Sequence, residues 1–103
     1  MGKQEVEYTI SRSSTVRQYV HFVTDGNKVL HFTVQLEMER NGEWSWFRRF
    51  DTSNGEAHLD FKRHDGGEEH HVPLGCTHND GLTIALRECE EKWGRFCEWY
   101  LQG

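Results

Sequence analysis

Four polar residues occupy alternate positions on the two sides of an Asn-Gly pair, and their chemistry suggests a reaction site. The pair is Asn54-Gly55, and the residues are Arg49, Asp51, His58 and Asp60. Alternate side chains of a strand share a face, so a hairpin turning at this pair places all four opposite Phe50, Leu59 and Phe61. Histidine exchanges protons near neutral pH, and a guanidinium holds phosphate or carboxylate in a bidentate fork. Cross-strand ion pairs on an ordinary sheet face are the plain alternative.

The composition indicates a single domain over residues 1–103 whose core is aromatic. The chain contains four Trp, six Phe and three Tyr, and its length is within the common size of one domain. Its net charge of −5 with neutral histidines disfavours broad electrostatic binding to nucleic acid. We find no long apolar run, signal peptide or lipidation motif, and we therefore expect a cytoplasmic protein without a membrane partner.

Three cysteines, Cys76, Cys89 and Cys97, cannot all pair within one chain. Cys89 and Cys97 are predicted on one helix, about 12 Å apart along its axis, which is too far for a disulfide. Reduced thiols are therefore expected, as in cytosolic proteins.

Strand-like alternation runs along most of the chain and changes to helical periodicity after Gly75. The predicted strands span residues 6–10, 16–24, 28–39, 43–51 and 57–64, with a short edge at 69–74. Apolar residues then recur three and four apart from Leu82 to Tyr100, with Asn79 or Asp80 as the N-cap. This order predicts an α+β fold, an antiparallel meander of five or six strands with one C-terminal helix packed on one face.

The pairing of apolar residues across neighbouring strands predicts the register of three hairpins. A three-residue loop at 40–42 sets Leu36 beside Trp46, where a two-residue Asn41-Gly42 turn would leave both tryptophans of this strand among polar residues. A two-residue turn at 54–55 sets Phe50 beside Leu59. A three-residue loop at 25–27 sets Val20 beside Phe32.

These registers also predict which side chains meet on the helix-free face. The first row across four strands contains His21, His31, Asp51 and His58. The next rows contain Tyr19, Thr33, Arg49 and Asp60, then Arg17, Gln35, Phe47 and Lys62. His31 and His58 are therefore expected on the two sides of Asp51, about 10 Å apart.

The predicted face has the groups needed for metal-independent cleavage of RNA by its own 2′-hydroxyl. We predict His31 and His58 as base and acid, with Asp51 orienting an imidazole and Arg49 holding the phosphate. No cofactor and no metal ligand is assigned. RNA is the predicted partner, and the residues that would bind it are Tyr19, His21, Thr33, Asp60 and Lys62. Tyr19 and Phe47 could stack on bases.

Two other functions remain open, one for the same sheet face and one for a different segment. The polar sheet face could be a non-catalytic module that binds a partner protein or forms a homodimer. A third class is metal binding in the loop-rich segment that contains His64, His70, His71, Cys76 and His78. The spacing of these residues matches no closed zinc motif, since the segment has no Cys-x-x-Cys pair.

Two motifs resemble those of a widespread family of small uncharacterised prokaryotic proteins. Its members have an Arg-Tyr-Asp-Thr-x-His-Gly-x-x-His-x-Asp core and a C-terminal Leu-Thr-x-Ala…Trp helix. The matching residues here are Arg49, Asp51, Thr52, Gly55, His58, Asp60, then Leu82, Thr83, Ala85 and Trp93. Phe50 stands where the family often has Tyr, and Asn54 stands where it often has His. The resemblance covers roughly residues 30–101 and implies a shared fold without an assigned activity.

The chain is also similar, more loosely, to small toxins of toxin–antitoxin pairs that have Arg-Tyr-Asp and His motifs. This likeness implies an RNA substrate and an antitoxin-like protein partner.

Overall fold

A computed structural model of the protein describes residues 2–63 and 69–102, and within them it has six strands and one helix. The elements are β1 (Lys3–Ser11), β2 (Val16–Asp25), β3 (Lys28–Arg40), β4 (Glu43–Asp51), β5 (His58–Phe61), β6 (His70–Pro73) and α1 (His78–Gln102). The strands form one antiparallel sheet in the order β1-β2-β3-β4-β5-β6, so each pairs with its neighbours in sequence. The predicted α+β meander with a C-terminal helix is confirmed.

The sheet has one face covered by α1 and one face without a helix. On the covered face, alternate strand residues such as Val34, Leu36 and Phe50 are buried against α1, which contributes Ala85 and Cys89 to the same core. The helix lies over β3 and β4. We call the opposite side the polar face, because its alternate positions have mostly charged, histidine and tryptophan side chains. No helix within the described residues is long and apolar enough to cross a membrane.

The start of α1 is fixed by residues other than the predicted caps. Thr77 is the N-cap, since its Oγ1 accepts a hydrogen bond from Asp80 N at 3.1 Å. Asn79 instead connects the helix to the β2–β3 turn, where its side chain accepts from Val29 N and donates to the carbonyl of Asn27. The prediction of Asn79 or Asp80 as the cap is therefore wrong.

The predicted register of β4 and β5 is confirmed, although the connection is longer than expected. Phe50 pairs with Leu59 and Arg49 pairs with Asp60. The strands end at Asp51 and begin again at His58, so residues 52–57 form a loop in place of the two-residue turn.

The predicted registers of β2–β3 and β3–β4 are wrong, because each hairpin has a two-residue turn and a β-bulge. Val20 pairs with Val34, and Leu36 pairs with Arg48. One bulge lies in β3, opposite the step from Val23 to Thr24 in β2. The other lies in β4, opposite the step from Leu36 to Glu37 in β3. Asn41 and Gly42 have φ of 57° and 82°, as a type I′ hairpin turn requires.

The bulge in β4 decides which aromatic residues enter the core. It adds Phe47 to the strand, so Phe47 and Arg48 both point to the covered face. Phe47 is 1% exposed and stacks on Tyr100, which corrects its predicted place on the open face. Trp44 and Trp46 pair with Glu39 and Glu37 on the polar face. From the sequence, this pairing was rejected because it leaves two large aromatic side chains among polar residues.

Candidate functional site

The centre of the polar face is a buried histidine surrounded by oxygen atoms. His58 is 2% exposed, and its Nε2 lies 2.7 Å from Oδ1 of Asp51 and 3.1 Å from Oδ2 of Asp60. Its Nδ1 lies 3.0 Å from the carbonyl oxygen of Glu56. Asp51 is buried as well and accepts hydrogen bonds from the backbone and hydroxyl of Ser53. The short β4–β5 hairpin therefore holds both carboxylates against one imidazole.

A second histidine joins this centre from β6. His71 pairs with Asp60 across the strands, and its Nδ1 lies 2.7 Å from Oδ1 of Asp60. The rings of His58 and His71 lie 4.5 Å apart. The His71 side chain is 46% exposed, so this end of the group faces solvent. We call Asp51, His58, Asp60 and His71 the His–Asp network.

The oxygen atoms around His58 require a cation at its Nε2. A carbonyl oxygen only accepts, so Nδ1 of His58 donates to Glu56. In a neutral ring with this tautomer, Nε2 has no hydrogen, and its lone pair would face two carboxylate oxygens at 2.7 and 3.1 Å. Such a contact is repulsive unless a proton or a metal ion lies between the atoms. The geometry therefore suits an ion pair or a metal centre.

The spacing of the side chains is compatible with a metal ion. His58, Asp60 and His71 each offer one ligand atom, and these atoms all lie within 4.8 Å of one another. Zinc binds nitrogen and oxygen ligands at about 2.0–2.2 Å, which places tetrahedral ligand atoms roughly 3.4 Å apart. The three groups are therefore close enough to be candidate ligands of one ion.

The predicted catalytic residues are only partly brought together. Asp51 and His58 are in contact, and Arg49 lies in the row beside them, donating from Nε to Oε1 of Gln35 at 2.9 Å. His31 is not on the other side of Asp51, where Thr33 stands instead. The bulge in β3 moves His31 opposite Val23, and its exposed ring lies 5.8 Å from that of His21.

The residues predicted to bind substrate all lie on the polar face, and most have protein partners. Tyr19 donates its hydroxyl to Glu7, which raises the pKa of Tyr19 to about 12. His21 Nε2 lies 2.6 Å from a carboxylate oxygen of Glu5. Thr33 pairs with both His21 and Asp51, and Asp60 belongs to the His–Asp network. Lys62 lies with Nζ 4.5 Å above the Trp46 ring.

The polar face also has two tryptophans that the sequence analysis placed with the apolar residues, and cations stack on both of them. The guanidinium of Arg49 lies 3.9 Å from the centre of the Trp46 ring, on which Lys62 also stacks. Arg17 lies 4.2 Å from the ring centre of Trp44 and forms an ion pair with Glu37. These contacts explain how two tryptophans tolerate an open face.

The predicted loop cluster of metal ligands is not assembled among the described residues, and His64 lies outside them. His70 and His71 point to opposite faces of β6, and His70 stacks on Phe61 at 4.8 Å. Cys76 packs against the core, and His78 faces the carbonyls of Leu30 and Gly55 at the start of α1. His71 is the functional candidate that we assigned to the wrong group. The predicted edge segment 69–74 was the signal that could have been registered against the preceding strand to set His71 opposite Asp60.

Comparison with protein-family models matched residues 1–103 to a domain of unknown function, DUF7718. No curated protein and no solved structure matched the chain. The expectation of an uncharacterised family is thus confirmed, while the resemblance of residues 30–101 to the prokaryotic motif family stays a prediction. The toxin-like similarity stays a prediction.

Proposed function

Because the chain belongs to this family, whose function is unknown, we propose a function from the polar face: the protein binds a divalent transition-metal ion through the His–Asp network. The observation that carries the proposal is the position of His58 Nε2, a buried nitrogen that faces two carboxylates. Its Nδ1 donates to the Glu56 carbonyl, which is the usual way a metal-binding histidine is oriented.

The charge of the network supports the same proposal. Asp51 and Asp60 contribute two negative charges, and one divalent ion bound by neutral His58 and His71 balances them. Two imidazoles and carboxylate oxygen suit zinc, iron or manganese better than magnesium, which prefers oxygen ligands and water. The exposed His71 side chain lies at the solvent-facing end of the centre. A water molecule bound there would be activated as a nucleophile, as in catalytic zinc sites with three protein ligands.

The experiment is titration of the metal-free protein with Zn²⁺ by calorimetry and with Co²⁺ by visible absorption. We expect one ion per chain and no comparable binding of Mg²⁺. His71→Ala is expected to lower Zn²⁺ affinity roughly 100-fold or more, since loss of groups that merely orient ligands already costs about 10- to 100-fold.

The matched control is His31→Ala, which removes an exposed histidine of the same face outside the network. Its Zn²⁺ affinity should equal that of the wild type. Equal Zn²⁺ affinities of the wild type and His71→Ala would overturn the proposal, and so would the absence of Zn²⁺ binding to the wild type.

A second candidate is the RNA cleavage predicted from the sequence, for which we propose His71 in the role first given to His31. The observation that favours it is an exposed imidazole held by a carboxylate, which is the arrangement of a general base. Arg49 could hold a phosphate beside it, and Trp46 could stack on a base. His58 and Asp51 would then position Asp60 rather than contact the RNA.

This candidate is tested with a short RNA oligonucleotide, by detecting a 2′,3′-cyclic phosphate product with mass spectrometry. Metal-independent cleavage should persist in EDTA and decline in both His71→Ala and Arg49→Met. Cleavage that requires added Zn²⁺ would join the two proposals and remove the metal-independent mechanism. An inert wild-type protein would leave metal binding as the function of the face.

A further inference from the structure

A cavity lies on the covered face, separate from the His–Asp network. It has a volume of about 450 Å³ and lies between the C-terminal part of α1 and strands β4 and β5. Its walls include the aromatic rings of Phe61, Phe96 and Trp99 and the guanidinium of Arg48. The volume is within the range of small-molecule pockets, about 300–1,000 Å³.

Arg48 in this cavity is surrounded by aromatic rings, and no carboxylate among the described residues lies within ion-pair distance of it. Its guanidinium carbon lies 3.9 Å from the ring centre of Phe96, 5.1 Å from that of Phe61 and 5.8 Å from that of Trp99. Its Nε is buried without a hydrogen-bond acceptor in the part of the chain that the structure describes. Burial lowers the pKa of Arg48, although Cys89 and Glu88 act to raise it.

A guanidinium whose buried Nε has no acceptor among the described residues is a binding group for an anion. Arginine remains charged at physiological pH, and its planar fork matches carboxylate and phosphate. An anion that enters the cavity would recover the hydrogen bonds that burial removed, in surroundings of low dielectric where such bonds are strong. The cation–π contacts already fix the guanidinium in place, which reduces the entropy that binding would cost.

The rest of the wall suits a flat ring. Trp99 is 51% exposed and lies at the cavity with one part open to solvent. Phe61 and Phe96 supply further aromatic surface beside the cationic end. Ring stacking on such surfaces is favourable and leaves the anionic group to determine orientation.

We infer that this cavity binds a small molecule in which a carboxylate or phosphate group is attached to a planar ring. The anionic group contacts Arg48, and the ring lies against Trp99. The inference is independent of metal binding, because the network and the cavity lie on opposite faces of the sheet.

Calorimetry with adenosine 5′-monophosphate and with benzoate tests the inference and separates the two kinds of anion. Two controls each lack one of the required groups: adenosine has the ring without the phosphate, and inorganic phosphate has the anion without the ring. We expect one of the two anionic ring compounds to bind and to shift the indole N–H resonance of Trp99, with both controls weaker. Failure of both to bind at millimolar concentration overturns the inference.

The variants Arg48→Met and Trp99→Ala separate a binding role from a structural one. Arg48→Met should weaken binding roughly 10- to 100-fold, the effect of losing a charge-assisted hydrogen bond. Trp99→Ala changes an exposed side chain, so it tests the same cavity if Arg48→Met does not fold. Arg17→Met, which removes a cation stacked on Trp44 of the polar face, is the control and should bind like the wild type. Unchanged affinity in Arg48→Met and Trp99→Ala overturns the inference.

Discussion

Arg48 and Arg49 are consecutive residues, yet they lie on opposite faces of β4 and in opposite electrostatic conditions. Both stack on an aromatic ring at 3.9 Å, Arg48 on Phe96 and Arg49 on Trp46. Arg49 has an acceptor in Gln35 and pairs across the sheet with Asp60. Arg48 has a buried Nε without an acceptor among the described residues. Within the described residues, the guanidinium on the polar face thus has an acceptor for its Nε, whereas the one on the covered face does not.

This difference shows that a rich cluster of polar groups and a free binding group need not coincide. In the His–Asp network each group already has partners, so a metal ion must replace contacts between the side chains. In the cavity, an anion that binds Nε of Arg48 would displace no acceptor among the described residues. The two faces therefore differ in what a ligand must overcome.

Removal of a core ring should give the largest contrast between the faces. Phe32 is 1% exposed, and Phe32→Ala is expected to lower the free energy of unfolding by about 3–5 kcal/mol. Trp44→Ala, on the polar face, should cost about 1 kcal/mol or less, since Trp44 is 37% exposed. Urea unfolding measures both values. Equal losses would break the comparison and indicate that a partner or a second copy covers Trp44, as the interaction-module alternative predicts.

Thiol reactivity should measure how well the covered face excludes water. Burial raises the pKa of Cys89 to about 12, even though Arg48 acts to lower it. Because the thiolate is the nucleophile, alkylation of Cys89 by iodoacetamide at pH 8 should be about 100-fold slower or more than that of the partly exposed Cys97. Peptide mapping by mass spectrometry gives the two rates in one sample. Comparable rates would mean that α1 opens readily from the sheet.

The polar face should lose stability when its buried carboxylate is neutralised. Asp51→Asn replaces the anion that contacts His58 and should lower the free energy of unfolding by about 1–3 kcal/mol in metal-free buffer. Asp25→Asn, at the exposed end of β2, is the control and should have almost no effect. An unchanged unfolding midpoint for Asp51→Asn would show that the network contributes no net stability.

Two glycines of α1 should respond in opposite directions to the same substitution. A Cβ at Gly81 would lie 2.9 Å from Cβ of Ala57 and 3.1 Å from the Phe32 ring, so Gly81→Ala should cost about 1–2 kcal/mol net of improved helix propensity. Gly94 has nothing within 4 Å of that position, and Gly94→Ala should stabilise by up to about 1 kcal/mol. Thermal unfolding compares the pair. A gain in both variants would mean that the helix and the sheet are less closely packed than the structure shows.

The elements of the fold could be predicted from the sequence because each has a clear local period. The β4–β5 register was also accessible, since a single pairing aligned Phe50 with Leu59. The two bulges were not accessible, because their supporting contacts come from the distant helix. The carbonyl of Leu30 faces His78, and Phe47 stacks on Tyr100. A local pattern contains no information about such contacts.

The residues of the candidate site were likewise predicted correctly where one local hairpin aligns them, and wrongly where distant contacts decide the register. Arg49, Asp51, His58 and Asp60 came together because one hairpin aligns them. The position of His31 depended on two further registers, both altered by bulges, and the error placed it beside Asp51. His71 lay one strand beyond the registered hairpins. The prediction that large aromatic residues avoid a polar face failed at Trp46, because Arg49 and Lys62 cover its ring.

The sheet order, identical to the chain order, has a consequence for the folding rate. Each hairpin joins segments that are adjacent in sequence, so strand pairing closes only short loops. The docking of α1 is different, because the contact of His78 with Leu30 spans 48 residues. We expect the hairpins to form early and the transition state to be crossed when α1 reaches β3. Substitutions at Gly81 should then alter the refolding rate more than those at Gly94.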